Sequence, residues 1–133
     1  MNRVLVDTSA ILALLVPTDR FHRQARSEFE RVRERRATLL ASSFVLVETY
    51  TLIGRRLGIA AVRRFREDFA PLLQVIWITP EIHERATDLW LADGRRRLSL
   101  VDAATLVLAR DSGVDGVFGF DRHLAVAAVP ARI

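Results

Sequence analysis

Residues 4–12 read VLVDTSAIL, and this stretch opens the fold. Val4, Leu5 and Val6 form a short run of β-branched and leucine residues, the composition of a strand buried on both faces. Asp7, Thr8 and Ser9 are all residues that cap helices, and residues 10–15 then carry a short apolar helix that stops ahead of Pro17. The same stretch poses a problem. A carboxylate at position 7 faces desolvation, which costs free energy and raises its pKa unless hydrogen bonds, a cation or solvent compensate. Capping the following helix is one resolution, and a bound cation is another.

Working outward, the alternation continues. Further strands are expected at 38–41, 74–78 and 116–120, with a short edge strand at 127–129. A helix over 19–36, capped by Thr18, carries Phe21, Ala25, Phe29 and Val32 at helical spacing. Ser42-Ser43 caps a helix over 43–57, which Gly58 ends, and 59–69 is a further helix with Val62, Phe65 and Phe69 on one face. Thr79-Pro80 starts a helix over 80–93 that Gly94 closes, and Ser99 starts another that ends at Ser112-Gly113. Strands alternating with helices argue an α/β fold with a short, mainly parallel central sheet and helices on both faces, residues 1–133 forming one domain.

The composition narrows the function classes. Half of the 133 residues are apolar, enough for a real core. No apolar run approaches the roughly 20 residues that span a bilayer. The segment after Arg3 carries Asp7 and lacks a small-residue cleavage site, so a cytoplasmic chain is expected. The absence of cysteine excludes disulfides, thiolate zinc sites and cysteine nucleophiles. The net charge is +4, and every basic residue is arginine. That is the composition of GC-rich coding, and also of a chain whose rigid guanidinium forks meet phosphate.

Four acids stand among apolar neighbours. Asp7 ends VLVD, Glu48 lies in SSFVLVETYTLIG, Asp102 in LSLVDAATLVLA, and Asp121 ends GVFGFD. Asp7 and Asp121 fall at the carboxyl ends of expected strands, the edge where open α/β sheets bind ligands. Asp102 and Glu48 fall early in their helices, where both can point to that edge. Each has a plainer reading: Asp7 as a cap, Asp102 in a capping box with Ser99, Asp121 as a turn residue, Glu48 in an ion pair with an arginine. Together they are harder to dismiss. Converging carboxylates repel, and each holds its proton unless a cation neutralises the group. Oxygen ligands alone suit a hard ion, Mg²⁺ or Mn²⁺, which polarises a phosphate oxygen and acidifies an attacking water.

With those four motifs on the page, the sequence resembles the PIN-domain ribonucleases, specifically the VapC-type toxins of prokaryotic toxin–antitoxin pairs. VLVDTSAIL, SSFVLVETYTLIGRRLG, LSLVDAATLVLAR and GVFGFDRHLA match the family's four acidic motifs in order, over essentially the whole chain. The resemblance implies a PIN-like three-layer α/β/α sandwich with Asp7, Glu48, Asp102 and Asp121 at one edge, holding Mg²⁺ or, alternatively, Mn²⁺. It implies an endoribonuclease acting on structured RNA such as tRNA or rRNA. It also implies a two-fold homodimer silenced by a cognate VapB-type antitoxin, in a heterotetramer or larger assembly and with no membrane association. Ser9, two places after the first acid, is implied as support for the metal site. Many relatives carry Thr or Ser two residues before the last acid, and this chain has Gly119 there.

On this reading Asp7 and Asp102 are metal ligands, direct or through water. Glu48 is a ligand or the base that orients the attacking water, and Asp121 completes the pocket. Thr8 and Ser9 present hydroxyl or backbone N–H groups to it. Arg55, Arg56, Arg95, Arg96 and Arg97 are candidate phosphate contacts, with solvated surface as the plainer reading. Trp77 and Trp90 are expected in the core, and His123 in a solvent-facing turn. The helices over 19–36 and 43–57 expose apolar side chains that fit a partner groove, or ordinary core packing. A PIN-like domain that binds RNA or a protein without cleaving it is the alternative function. A receiver-type phosphoacceptor domain is disfavoured, because the chain has no Lys and no second Asp beside Asp7.

Overall fold

The computed structural model describes residues 3–94 and 96–120, so Arg95, Asp121, His123 and the expected edge strand at 127–129 lie outside the described residues. Four strands, β1 (Arg3–Val6), β2 (Thr38–Ser42), β3 (Leu73–Ile76) and β4 (Gly116–Phe118), form one parallel sheet in the order β3-β2-β1-β4. Leu5 pairs with Leu40 and with Val117, and Leu40 pairs with Gln74. The strands are short and nearly continuously apolar because helices cover both faces. Those helices are α1 (Thr8–Leu15), α2 (His22–Glu34), α3 (Ser43–Leu57), α4 (Ile59–Arg64), α5 (Pro80–Asp93) and α6 (Leu100–Asp111).

The two-residue period of the strands sorts the core. Val4, Val6, Leu39, Ala41 and Phe118 face the cluster built with Ile11, Ala25, Val45, Ile53 and Phe65, from α1 to the turn after α4. Leu5, Leu40 and Val117 face the opposite cluster, with Leu106, Leu108 and Ala109 of α6. Three layers result.

Local chemistry sets the helix starts. Ser42 Oγ accepts from Val45 N at 3.0 Å, Thr79 Oγ1 from Ile82 N at 3.2 Å, and Ser99 forms a reciprocal capping box with Asp102. Gly58 and Gly94 end their helices at φ of 89° and 71°, as their positions suggest.

Several boundaries differ from expectation. α2 starts at His22, not behind Thr18, because the Asp19 carboxylate accepts from Phe21 N at 2.8 Å and holds 17–21 in turns. The helix expected over 59–69 is α4 followed by a π-helical turn, Phe65–Phe69. The wider turn stacks Phe69 on both Phe65 and Phe29. β3 ends at Ile76, so Trp77 is not a strand residue, and it is 70% exposed instead of buried. Trp90 is partly exposed, its Nε1 donating to Leu98 O at 2.8 Å.

Candidate active site

Asp7 leaves β1 at the carboxyl edge and is the N-cap of α1. Its Oδ2 accepts from Ser9 N at 3.2 Å and from Ser9 Oγ at 2.7 Å. The same Ser9 hydroxyl accepts from Phe120 N at 2.9 Å, while Asp7 N donates to Phe118 O at 2.9 Å. One hydroxyl therefore ties the carboxylate to the exit of β4, the segment that leads to Asp121. Phe120 in turn stacks face to face on Phe21 with centroids 4.7 Å apart, which fixes that exit against the start of α2.

The approach is close enough to require glycine at position 119. A Cβ added there would stand 2.8 Å from Asp7 Cβ and 3.4 Å from Ser9 Oγ. A side chain at position 119 has no space here, and the Ser9 hydroxyl bridges Asp7 to Phe120.

Asp102 occupies the first turn of α6, where one of its oxygens accepts from Ser99 N at 3.0 Å. The far end of α6 is fixed at the amino edge of the sheet, since the Arg3 guanidinium donates to Ser112 O. Val101 packs on the Val6–Phe118 side of the core. The helix thus runs back from the carboxyl edge, with Asp102 at the start.

Glu48, half-buried, lies in the second turn of α3. It is one turn past Phe44, on the same stripe. Phe44 packs beside Ala103 and Ala104, the two residues that follow Asp102. Glu48 thus lies on the stripe of α3 that begins at Phe44. Among the described residues no three acidic or histidine side chains gather into one metal-holding cluster.

Asp7 and Asp102 are only 3% and 7% exposed, and the Thr8 hydroxyl beside Asp7 is buried without a hydrogen-bond partner. Each carboxylate sits at a helix N-terminus, whose positive end favours an anion. Oxygen donors alone, two of them buried carboxylates, fit a hard divalent cation such as Mg²⁺, which binds through one or two carboxylates and keeps several waters.

The arginines divide by position. Arg96 and Arg97 form an exposed turn leading to Ser99 and so to Asp102. Arg55 and Arg56 lie in the last turn of α3, about 18 Å along the helix axis from Ser43 at the carboxyl edge. Sequence reasoning also missed a buried acid. Glu28 is 3% exposed, with Gln24 Nε2 donating to its Oε1 at 3.3 Å. Its position three residues after Ala25 and four before Val32 is the signal, because it falls on the buried stripe of α2.

A short parallel sheet with buried acids at its carboxyl edge is the layout of an α/β domain with its ligand site at that edge. The PIN domain model matches residues 4–130, and the chain belongs to that family. It is 29% identical to 23S rRNA-specific endonuclease VapC20 of Mycobacterium tuberculosis over 125 residues, 93% of each chain, in both the CDC 1551 / Oshkosh and the H37Rv strains. The crystal structure of M. tuberculosis VapC20, a Sarcin-Ricin loop cleaving toxin, superposes with a TM-score of 0.80 at 27% identity, over 95% of both chains. FitAcB from Neisseria gonorrhoeae shares the fold, with a TM-score of 0.72 at 14% identity over 98% of this chain and 96% of that one. Among the described residues no helix is long and apolar enough to cross a membrane.

Proposed function

We propose that the chain is a VapC-type endoribonuclease that hydrolyses a phosphodiester bond in structured RNA with Mg²⁺, or Mn²⁺ in its place. The burial of the Asp7 and Asp102 carboxylates at two helix N-termini carries the reading, because a cation offsets charge held there. Full-length similarity to a 23S rRNA-specific endonuclease supports ribosomal RNA as the substrate class.

In this reading Asp7 and Asp102 hold the metal directly or through water, and Asp121 completes the acidic pocket. A bound Mg²⁺ supplies charge neutralisation at a phosphate oxygen and acidifies water in the site. Ser9 keeps Asp7 in one orientation by donating to Oδ2 while it is itself held by Phe120 N–H. Glu48 is a ligand or orients the attacking water and takes its proton. Water adds across the phosphorus–oxygen bond, and one RNA strand becomes two. Arg96 and Arg97, in the turn before α6, contact the RNA backbone and position it without reading sequence. Arg95, which adjoins them in sequence, is assigned the same role, and Arg55 and Arg56 serve a more distant stretch of RNA.

The partner groove is assigned to the apolar hollow among α1, α3 and α4. It has a volume of 310 Å³ and is lined by Leu15, Ile53, Leu57, Phe65 and Phe69. A second hollow of 310 Å³ between α1 and α2 shares Leu15 and Phe69 with it. An amphipathic segment of a VapB-type antitoxin fits such a surface. The active assembly is assigned as a homodimer within a heterotetramer or larger complex with antitoxin, in the cytoplasm.

Purified protein, freed of any co-purified partner, is incubated with total RNA with and without Mg²⁺ or Mn²⁺, beside Asp7→Asn. Metal-dependent cleavage that vanishes in a folded Asp7→Asn protein is the expected result. If RNA is bound but left intact at every metal concentration, the chain is a non-cleaving PIN domain.

A further inference from the structure

We infer that Trp77 is a stacking platform for a base of the RNA substrate, one or two nucleotides from the bond that is cut; this rests on the ribonuclease reading above. Trp77 directly follows β3 at the carboxyl edge and is 70% exposed, the most exposed of the large apolar side chains among the described residues. The pairings Leu5–Leu40 and Leu40–Gln74 bring Ile76 level with Asp7. Two strand spacings therefore separate the Trp77 backbone from that of Asp7, about 10 Å. That distance is within the reach of one or two nucleotides of extended single strand.

The position is held firmly. Ile78 N donates to Ser43 Oγ at 2.9 Å, which fastens the segment after β3 to the first turn of α3. Val47, one turn past Ser43 on the same helix, is also exposed. A large aromatic ring left in water on a pinned backbone meets the need of single-stranded RNA, whose unstacked bases find aromatic faces. A second copy of this chain is the competing occupant of the same ring.

The test uses the full chain, an RNA stem-loop that the wild type cleaves, and the variants Trp77→Ala and Trp77→Phe. Trp77→Ala is expected to raise KM about tenfold or more while kcat stays within about threefold. Trp77→Phe, which keeps a ring, restores most of the loss. Binding of the same RNA to an uncleaving Asp7→Asn background quenches tryptophan emission, and the added change Trp77→Phe removes most of that quench.

An unchanged KM in Trp77→Ala, with wild-type cleavage intact, overturns the platform and leaves the ribonuclease reading standing. Wild-type protein that neither binds nor cleaves RNA overturns both. If sedimentation of the protein alone shows a dimer that Trp77→Ala splits, without any effect on RNA binding, the ring belongs to a contact between copies and the platform is wrong.

Discussion

Asp7 and Thr79 do the same local job at two helix starts, and they differ in everything else. Each has extended backbone, with φ and ψ of −95° and 156° for Asp7 and −81° and 162° for Thr79. Each offers a side-chain oxygen to a backbone N–H of the first turn, that of Ser9 or of Ile82. Thr79 is neutral and exposed, while Asp7 is a carboxylate shut away from water. A cap requires only an acceptor, so the hydroxyl at position 79 is sufficient for the fold. The charge at position 7 is more than a cap requires, and burial makes it costly except where hydrogen bonds, the helix end or a cation offset it. Asp102 repeats the lesson, because its box with Ser99 needs an oxygen but not a charge. Both carboxylates thus carry more charge than their caps require, and the proposed cation would account for it.

Replacing the charge while keeping the acceptor breaks the comparison most sharply. Asp7→Asn and Asp102→Asn retain a capping oxygen and are each expected to lower cleavage about a thousandfold, the scale of several kcal/mol of transition-state charge stabilisation. The melting temperature of the metal-free protein should change little, since the capping oxygen is kept. Calorimetry and initial rates on the same samples check both outcomes. A large drop in the metal-free melting temperature would show that the fold itself needs the carboxylate, and the main argument for the metal site would fail.

Gly119 and Gly113 sharpen the same contrast between site and scaffold. Gly113 has φ of 60° and open space around it, so Gly113→Ala costs about 1 kcal/mol of backbone strain and nothing else. Gly119→Ala puts a methyl 2.8 Å from Asp7 Cβ, a backbone-proximal atom that cannot swing away. A loss of roughly 1–3 kcal/mol is expected, the range for overpacking. It should be accompanied by weaker Mn²⁺ binding, because the same methyl displaces the carboxylate. Denaturant melts and Mn²⁺ titrations on the two variants separate the effects.

The sequence made some of this readable and hid the rest for physical reasons. Asp7, Ser42, Thr79 and Ser99 are legible as helix starts because a cap acts within three residues of itself. The sheet follows from short apolar runs that cannot be helices. Glu28 escaped because a glutamate is rarely buried, although its spacing from Ala25 and Val32 places it inside. The π-helical turn escaped because it depends on how Phe29 and Phe69 meet across two segments. Trp77 escaped because residue type predicts burial while strand length decides it, and β3 stops one residue short. The Ser9–Phe120 link joins residues 111 positions apart, so no local pattern announces it, nor the need for glycine at 119.

Removing the acceptor itself gives a smaller effect than either change at the site. Thr79→Ala leaves the first-turn N–H groups of α5 to solvent and is expected to cost about 1 kcal/mol. Mn²⁺ affinity should not change, because no carboxylate is disturbed. An altered affinity would mean that α5 and the acidic edge are coupled, and the division between scaffold and site would need redrawing.

The smallest effect belongs to the Arg85–Asp111 pair, a bidentate contact between α5 and α6 in which both side chains are nearly half exposed. The hydrogen bond from Arg85, aided by its charge, holds the Asp111 carboxyl below its ordinary 3.8 and raises the guanidinium in turn. Since the folded-state value for Asp111 is the lower one, the pair contributes fully above the ordinary carboxylate range. Its contribution fades as the pH falls through the depressed value. Solvent screens it throughout, so Asp111→Asn should move the melting temperature only slightly at about pH 7. The two proteins should converge in melting temperature as the pH falls through the depressed value of the carboxyl. A difference that persists undiminished at low pH would assign the role of position 111 to packing at the α5–α6 contact instead of charge.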